Sequence, residues 1–383
     1  MAVKLWTVHF MRIGIANLLL FASLYMLFPA IAIEMGDRAG ISLAQTGGIF
    51  LCLMAGMFLI GPFHAYLVDA YKRKYVYMFA SAAMVAATAG YAFVTDITEL
   101  MLLSLGHGMA FGMATSSGIT LAIDVTGSAL RSVGNISFSW VVRLGMIIGV
   151  VAGVCVHRYY PFEDLVLVSA VTGAIGILVV AGVYVPFRAP IVTKTCSFDR
   201  FMLLRGWVLA VNLVLITFVP GLFVSLAHPF LNNMTWWGME AFVPFFALTG
   251  AGCLLSMLLR RLPFLRERML RLIVGGIGLE ILAVFLLDTH GCIAVPAVLL
   301  GLGLGFVMPE FLLMFVKLSE HCQRGTANTT HLLASEAGTF IGIAASCRMD
   351  AGELLTAARV ATVAAMLFFV FVAYPYFRRK KIR

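Results

Sequence analysis

The chain has 383 residues, 62% of them apolar and only 12% charged, with a mean hydropathy of +1.00. So little charge, about half the roughly 25% usual in soluble domains, does not cover a water-facing surface, so a soluble globular protein is excluded and lipid is the expected solvent. The net charge of +9 is explained by basic residues retained on one side of a membrane, which sets nucleic acid aside as a partner.

At about 20 apolar residues per span, this composition furnishes at most roughly twelve spanning helices. In chain order the apolar runs fall near 12–34, 43–69, 76–95, 99–124, 134–156, 163–186, 206–228, 240–260, 270–288, 291–316, 328–346 and 354–377. The expected fold is therefore all-α, a polytopic membrane protein of twelve transmembrane helices. The first run, Ile13 to Ile33, is longer than a signal-peptide core and ends without a small-residue cleavage pattern, so it reads as a retained span. The longest non-apolar stretch near the middle, Arg188 to Arg205, divides the chain into an N-terminal half (1–187), a linker (188–205) and a C-terminal half (206–383). Seven cysteines are scattered with no CxxC pair, so neither a disulfide framework nor a zinc site is expected, and no cofactor or metal is implied.

Orientation follows from the 27 Lys and Arg residues. With both termini in the cytoplasm, 21 of them fall on that side, including Lys72, Arg73, Lys74, Arg131, Arg205, Arg260 and the tail from Arg378. Only Arg38, Arg158 and Arg348 fall opposite, while Arg12, Arg143 and Arg359 lie within spans. This asymmetry supports an even number of spans. Tyr159, Tyr160, Trp236 and Trp237 sit at the outer ends, where interfacial aromatics belong. Short loops without added domains point to a bacterial inner membrane, with a monomer in the lipid bilayer as the working unit.

Sliding the chain by 193 residues places Arg12 on Arg205, Arg73 on Arg266 and Arg131 on Arg324. The same offset sets Gly145 and Gly149 on Gly338 and Gly342, and Asn135 on Asn328. Two six-span halves in one orientation imply a pseudo-two-fold axis along the membrane normal and a site between them near the midplane.

The segment after the second run, Gly61-Pro-Phe-His-Ala65-Tyr-Leu67-Val-Asp69-Ala-Tyr-Lys72-Arg73-Lys74, resembles the G-x-L-x-D-R-x-G-R-K loop of the major facilitator superfamily. Leu67, Asp69, Arg73 and Lys74 match; Ala65, Ala70 and Lys72 replace the family's first Gly, first Arg and second Gly. The fifth run, with Gly145, Gly149 and Gly153, is similar to the G-x3-G-P-x2-G-G stretch of drug and proton antiporters, with Val150 and Val154 departing from it. The resemblance implies a secondary transporter of a small organic solute working by alternating access. It also implies that Asp69 faces the start of the eleventh span near Ala327, that Arg73 pairs with Asp124, and that these residues, with Lys74 and Arg131, form a cytoplasmic gate. The alternative for the loop is that its cations are only topogenic.

Ionisable groups inside spans are costly and mark candidate sites. Arg143 and Glu336 are again separated by 193 residues, so the repeat sets them at one depth in opposite halves, where they can meet across a cavity. An arginine there keeps its charge, whereas a carboxyl can take up and release a proton, so the pair suits exchange of a proton for a solute. A buried ion pair that only joins the halves is the alternative. Glu310 follows Pro309 in the tenth span and reads as a gate residue or as a hydrated end group. Glu280 in the ninth span reads as a structural hydrogen-bonding group. His107 reads as a relay or as a core histidine, and Asn17 and Asn212 as solute contacts or interhelical links. Gly145, Gly149, Gly153, Gly338 and Gly342 are expected at close helix contacts.

No Gly-Lys dipeptide occurs, so a Walker A loop and direct ATP drive are excluded. A potassium-type channel is disfavoured by the absence of TVGYG. An intramembrane enzyme built on His107, Glu310 and Glu336 is the alternative of a different class. The reading is a proton-coupled exporter of a small organic solute, with a proton-coupled importer or facilitator as the alternative.

Overall fold

The computed structural model describes residues 5–127, 130–185, 195–197, 201–226, 229–262, 265, 268–287, 293–320 and 323–381. Most of the expected linker and Arg266 of the repeat lie outside the described residues.

The first half consists of α1 (Val8–Ala39), α2 (Leu43–Leu59), α3 (Gly61–Ala70), α4 (Arg73–Gly90), α5 (Ile97–Asp124), α6 (Arg131–Tyr159) and α7 (Phe162–Ala181). The second contains α8 (Trp207–Leu222), the single turn α9 (Pro229–Asn232), α10 (Phe242–Leu259), α11 (Met269–Leu286), α12 (Ala294–Leu318), α13 (Arg324–Ser346), α14 (Ala351–Phe368) and α15 (Tyr374–Lys380). Local chemistry sets several ends. Thr7 caps α1 by accepting from the Phe10 amide at 3.2 Å, and Gly40 ends it in the left-handed region at φ 61°. Asp96 caps α5 through the amides of Thr98 and Glu99.

The second apolar run does not form one straight span. It breaks at Ile60, and α2 and α3 meet at 48°. Pro62 lacks an amide hydrogen and its ring crowds the preceding turn, so it starts a new helix more readily than it continues one. Between α9 and α10, strands β1 (Thr235–Trp236) and β2 (Met239–Glu240) pair antiparallel through a two-residue turn. Both turn residues have positive φ, Trp237 at 52° and Gly238 at 75°, the conformation that matches hairpin twist.

Among the described residues nine helices are long and apolar enough to span a membrane, or ten when α2 and α3 count as one bent span. Helices α4 and α13 complete the twelve, with 18 and 23 residues. Helix α13 is less apolar because it is almost wholly buried in protein, from Thr326 to Ser346. Its polar groups meet neighbouring helices rather than acyl chains, so lipid does not constrain its composition.

The repeat is visible in the packing. In the first half α1 packs on α6 and α7, α5 on α2 and α4, and α4 on α7. In the second, α8 packs on α13 and α14, α12 on α10 and α11, and α11 on α14. The spaced glycines make the matching contacts possible. A Cβ on Gly145, Gly149 or Gly153 would lie 2.6, 2.5 or 2.1 Å from the carbonyl oxygen of Leu18, Ala22 or Met26 on α1. On Gly338 or Gly342 it would lie 2.5 or 2.3 Å from that of Val214 or Phe218 on α8. These approaches exclude every larger residue, which is how small residues hold membrane helices together.

The halves meet where α13 packs on α2 and α5, and where α6 packs on α10 and α12. At the end opposite the basic one, a Cβ on Gly47 of α2 would lie 2.7 Å from the Ala344 carbonyl oxygen of α13. There Arg348 also donates to the Ala44 carbonyl at 3.3 Å, and the Leu226 amide to that of Pro29 at 2.9 Å.

Candidate functional site

Two polar contacts cross between the halves in the buried centre. Glu336 of α13 accepts a hydrogen bond from the Tyr25 hydroxyl of α1 at 2.6 Å, and its other oxygen has no partner among the described residues. Arg143 of α6 donates to the hydroxyl of Ser335, and its terminal nitrogens lie 3.5 Å from the sulfurs of Met146 and Met308. The expected Arg143–Glu336 contact is therefore not an ion pair in this structure. Successive residues of an α-helix point about 100° apart, and it is Ser335 that turns toward Arg143 while Glu336 turns toward α1. One turn earlier on α13, His331 places Nε2 3.0 Å from the Met308 carbonyl.

Beside these groups lies a partly open pocket of about 50 Å³ lined by Tyr25, Arg143, Val150, Phe246, Thr339 and others from both halves. A smaller one of about 10 Å³ lies against Arg143, Trp140, Cys253 and Pro309.

At the basic end Arg73 binds both carboxylate oxygens of Asp124, at 2.5 and 2.7 Å, with Asp69 at 3.4 Å. Lys74 donates to the carbonyls of Ala181 and Val183 at 2.9 and 3.0 Å, neutralising the C-terminal end of α7. Arg12 adds a bond to the Gly182 carbonyl at 2.6 Å. All these contacts tie helices of the first half to one another. Arg131 opens α6 and forms no ion pair among the described residues; its Nε is buried without a partner.

The remaining candidates are dispersed. Glu310 pairs with Arg260 at 2.5 Å, both largely buried, joining α12 to the end of α10; α12 runs through Pro309 without a break. His107 lies 3.4 Å from the Tyr91 hydroxyl within the first half, and its Nε2 has no partner among the described residues. Asn17 donates to its own helix at Ile13, and its side-chain oxygen packs over Gly118. Asn212 donates across to the Ala365 carbonyl at 2.9 Å and so links α8 to α14. Glu280 is fully buried with neither oxygen hydrogen-bonded among the described residues, which corrects the expectation of a structural hydrogen bond there.

A model of the Major Facilitator Superfamily matches residues 13–343. The chain belongs to this superfamily. It is a membrane transporter rather than an enzyme, and its twelve helices in two pseudo-symmetric halves are the superfamily's fold. No curated protein matches the chain. Solved superfamily folds similar to it include a bacterial homologue of the human lysosomal transporter Spinster in an inward-facing, occupied conformation. That structure is 15% identical with a TM-score of 0.65, covering 98% of each chain. The nucleoside transporter NupG is also 15% identical at 0.65, covering 98% of this chain and 100% of its own. PepTSo, a POT family transporter, is 12% identical at 0.72, covering 98% and 99%. At these identities the likeness is one of fold.

Tyr25, Ser335, His331 and Arg260 were not singled out by sequence reasoning. For Ser335 and His331 a signal exists: between Thr326 and Thr339 this superfamily member carries a run rich in Thr, Ser, Asn, His and Glu, unusual for a span and typical of a helix facing polar partners. For Tyr25 no such signal exists, because an aromatic in an apolar run reads as packing.

Proposed function

We propose that this transporter exports a small organic solute in exchange for protons, with Glu336 as the proton-carrying group. The observation that supports this most is the placement of Glu336: a buried carboxyl on the second half, held by Tyr25 of the first, which itself lines a partly open pocket to which both halves contribute. Separation of the halves breaks the Tyr25 bond and exposes the carboxyl, so the proton and the conformation are linked by one contact. Rocking takes place between halves 1–187 and 206–383, joined by the linker 188–205. The charge bias of the loops supports cytoplasmic termini, and their shortness supports a bacterial inner membrane, with a monomer proposed as the working unit. The contacts of Asp69, Arg73, Lys74 and Asp124 keep the cytoplasmic end of the first half rigid while it moves, with Arg131 at the start of α6 beside them in sequence as the fifth residue of the proposed gate.

Export rests on the similarity of the Gly145–Gly153 stretch to drug and proton antiporters. One similar fold is described as a proton-dependent oligopeptide transporter, so a fold of this kind is compatible with proton coupling. The test is reconstitution into vesicles with an internal pH dye, an imposed proton gradient and a panel of amphipathic drugs, sugars and organic anions. Solute-dependent proton movement that vanishes in Glu336→Gln supports the reading. A labelled solute crossing with no change in the pH trace overturns proton coupling.

A further inference from the structure

Resting on the transport reading above, we infer that the solute is an anionic, otherwise apolar organic molecule whose carboxylate is held by Arg143. The polar groups of the space between the halves carry the argument. Besides the Met146 thioether, five of its lining side chains have polar atoms: Tyr25, Arg143, Thr249, Cys253 and Thr339. Four are already committed. Tyr25 donates to Glu336, Thr249 to the Phe245 carbonyl, Thr339 to the Ser335 carbonyl, and Cys253 to the Gly301 carbonyl.

Arg143 differs. A guanidinium has five N–H donors, and this one meets one hydroxyl and two thioether sulfurs, which are weak acceptors. It is only 9% exposed, and among the described residues no carboxylate forms an ion pair with it. Glu336 and Glu280 act on this cation only through space, so a carboxylate in direct contact supplies charge-assisted hydrogen bonds that the guanidinium lacks and gains that energy on binding. The rest of the lining, including Ile147, Val150, Pro220, Val224, Phe246 and Leu304, accepts a hydrocarbon body and offers a neutral polar solute or an amine nothing. Glu336 is not part of this lining, although it lies within electrostatic range of Arg143.

The experiment follows the melting temperature of the purified full chain with benzoate and hexanoate, against benzamide, hexanamide, benzylamine and hexylamine. The carboxylates are expected to raise it and the matched amides and amines to leave it unchanged. In Arg143→Gln the apparent carboxylate affinity is expected to fall at least about tenfold, since a charge-assisted hydrogen bond is lost, with partial retention in Arg143→Lys. Ser335→Ala releases the guanidinium and is expected to bind carboxylates as tightly or more so, which keeps the inference testable if Arg143→Gln does not fold. Equal response to amides or amines, no response to either carboxylate, or an unchanged preference in Arg143→Gln overturns it. Flux of labelled benzoate into vesicles separates the two readings. Carboxylate flux that moves no protons sinks the proton-exchange reading alone, and flux of neutral or cationic solutes without carboxylate preference sinks the anion site alone.

Discussion

The Tyr25 hydroxyl donates to Glu336 across the two halves at 2.6 Å, while Arg143, related to Glu336 by the 193-residue repeat, bonds to the preceding Ser335. The two contacts use successive positions of α13 and so respond together when that helix moves. Glu336→Gln is expected to abolish proton-driven solute accumulation and to spare solute exchange. Tyr25→Phe is expected to keep solute flux but to weaken its coupling to protons, because it removes the contact that links the Glu336 carboxyl to the conformation while leaving the carboxyl itself. Flux measured across a pH series decides this. The other titratable groups around the centre, Arg143, His331, Glu280 and Cys253, are unchanged in both variants, so a preserved pH dependence in Glu336→Gln places the proton elsewhere.

The Arg73–Asp124 pair is partly screened, with side chains 32% and 24% exposed. Its coupling energy is therefore expected at about 0.5–1 kcal/mol in a double-mutant cycle, decreasing at high salt. Exchanging the two residues is expected to restore most of what either alanine variant loses. If instead Arg73→Ala changes labelling of cysteines placed along the cytoplasmic end of α13 without changing stability, the pair acts between halves rather than within one.

Gly153 approaches α1 so closely that a Cβ would lie 2.1 Å from the Met26 carbonyl oxygen, whereas a Cβ on Gly106 meets nothing within 4 Å. Gly153→Ala is expected to destabilise the transporter by about 1–3 kcal/mol through forced separation of α1 and α6. Gly106→Ala is expected to be neutral or slightly stabilising. Thermal unfolding in detergent compares them directly.

Arg260 and Glu310 have side chains 19% and 4% exposed. Removing the arginine alone leaves a buried carboxyl without its counter-charge, so Arg260→Gln is expected to cost about 3–5 kcal/mol. Arg260→Met combined with Glu310→Gln is expected to recover most of that loss, as judged by chemical denaturation. Equal loss in the single and double variants refutes the pairing as the cause.

Asp96 lies outside the spans, and hydrogen bonds from the amides of Thr98 and Glu99 hold its carboxyl below the usual carboxylate range. A lowered value in the folded state means that the cap stabilises above the unfolded carboxylate range and is lost as pH falls through the folded value. Asp96→Ala is therefore expected to lower the melting temperature at neutral pH, and the two proteins are expected to converge in acid. A difference independent of pH means that the carboxylate is not the source.

Composition and periodicity by themselves determined that this chain lives in lipid, that it forms twelve helices, and that its two halves repeat at 193 residues. These properties are local: hydropathy summed over a span, and residue identity compared at one offset. The Gly145 and Gly338 series was legible for the same reason, since a carbonyl can be approached only by a residue lacking a side chain. Which groups meet was decided by the tertiary structure. A change of one residue turns a side chain by about 100°, so the repeat located Arg143 and Glu336 at one depth without saying which neighbour each would face. The break at Ile60, the confinement of the Arg73 and Lys74 contacts to the first half, and the turning of Asn212 toward α14 depend likewise on how each helix is rotated against its neighbours. Packing of all the helices together sets that rotation, and no window along the chain contains it.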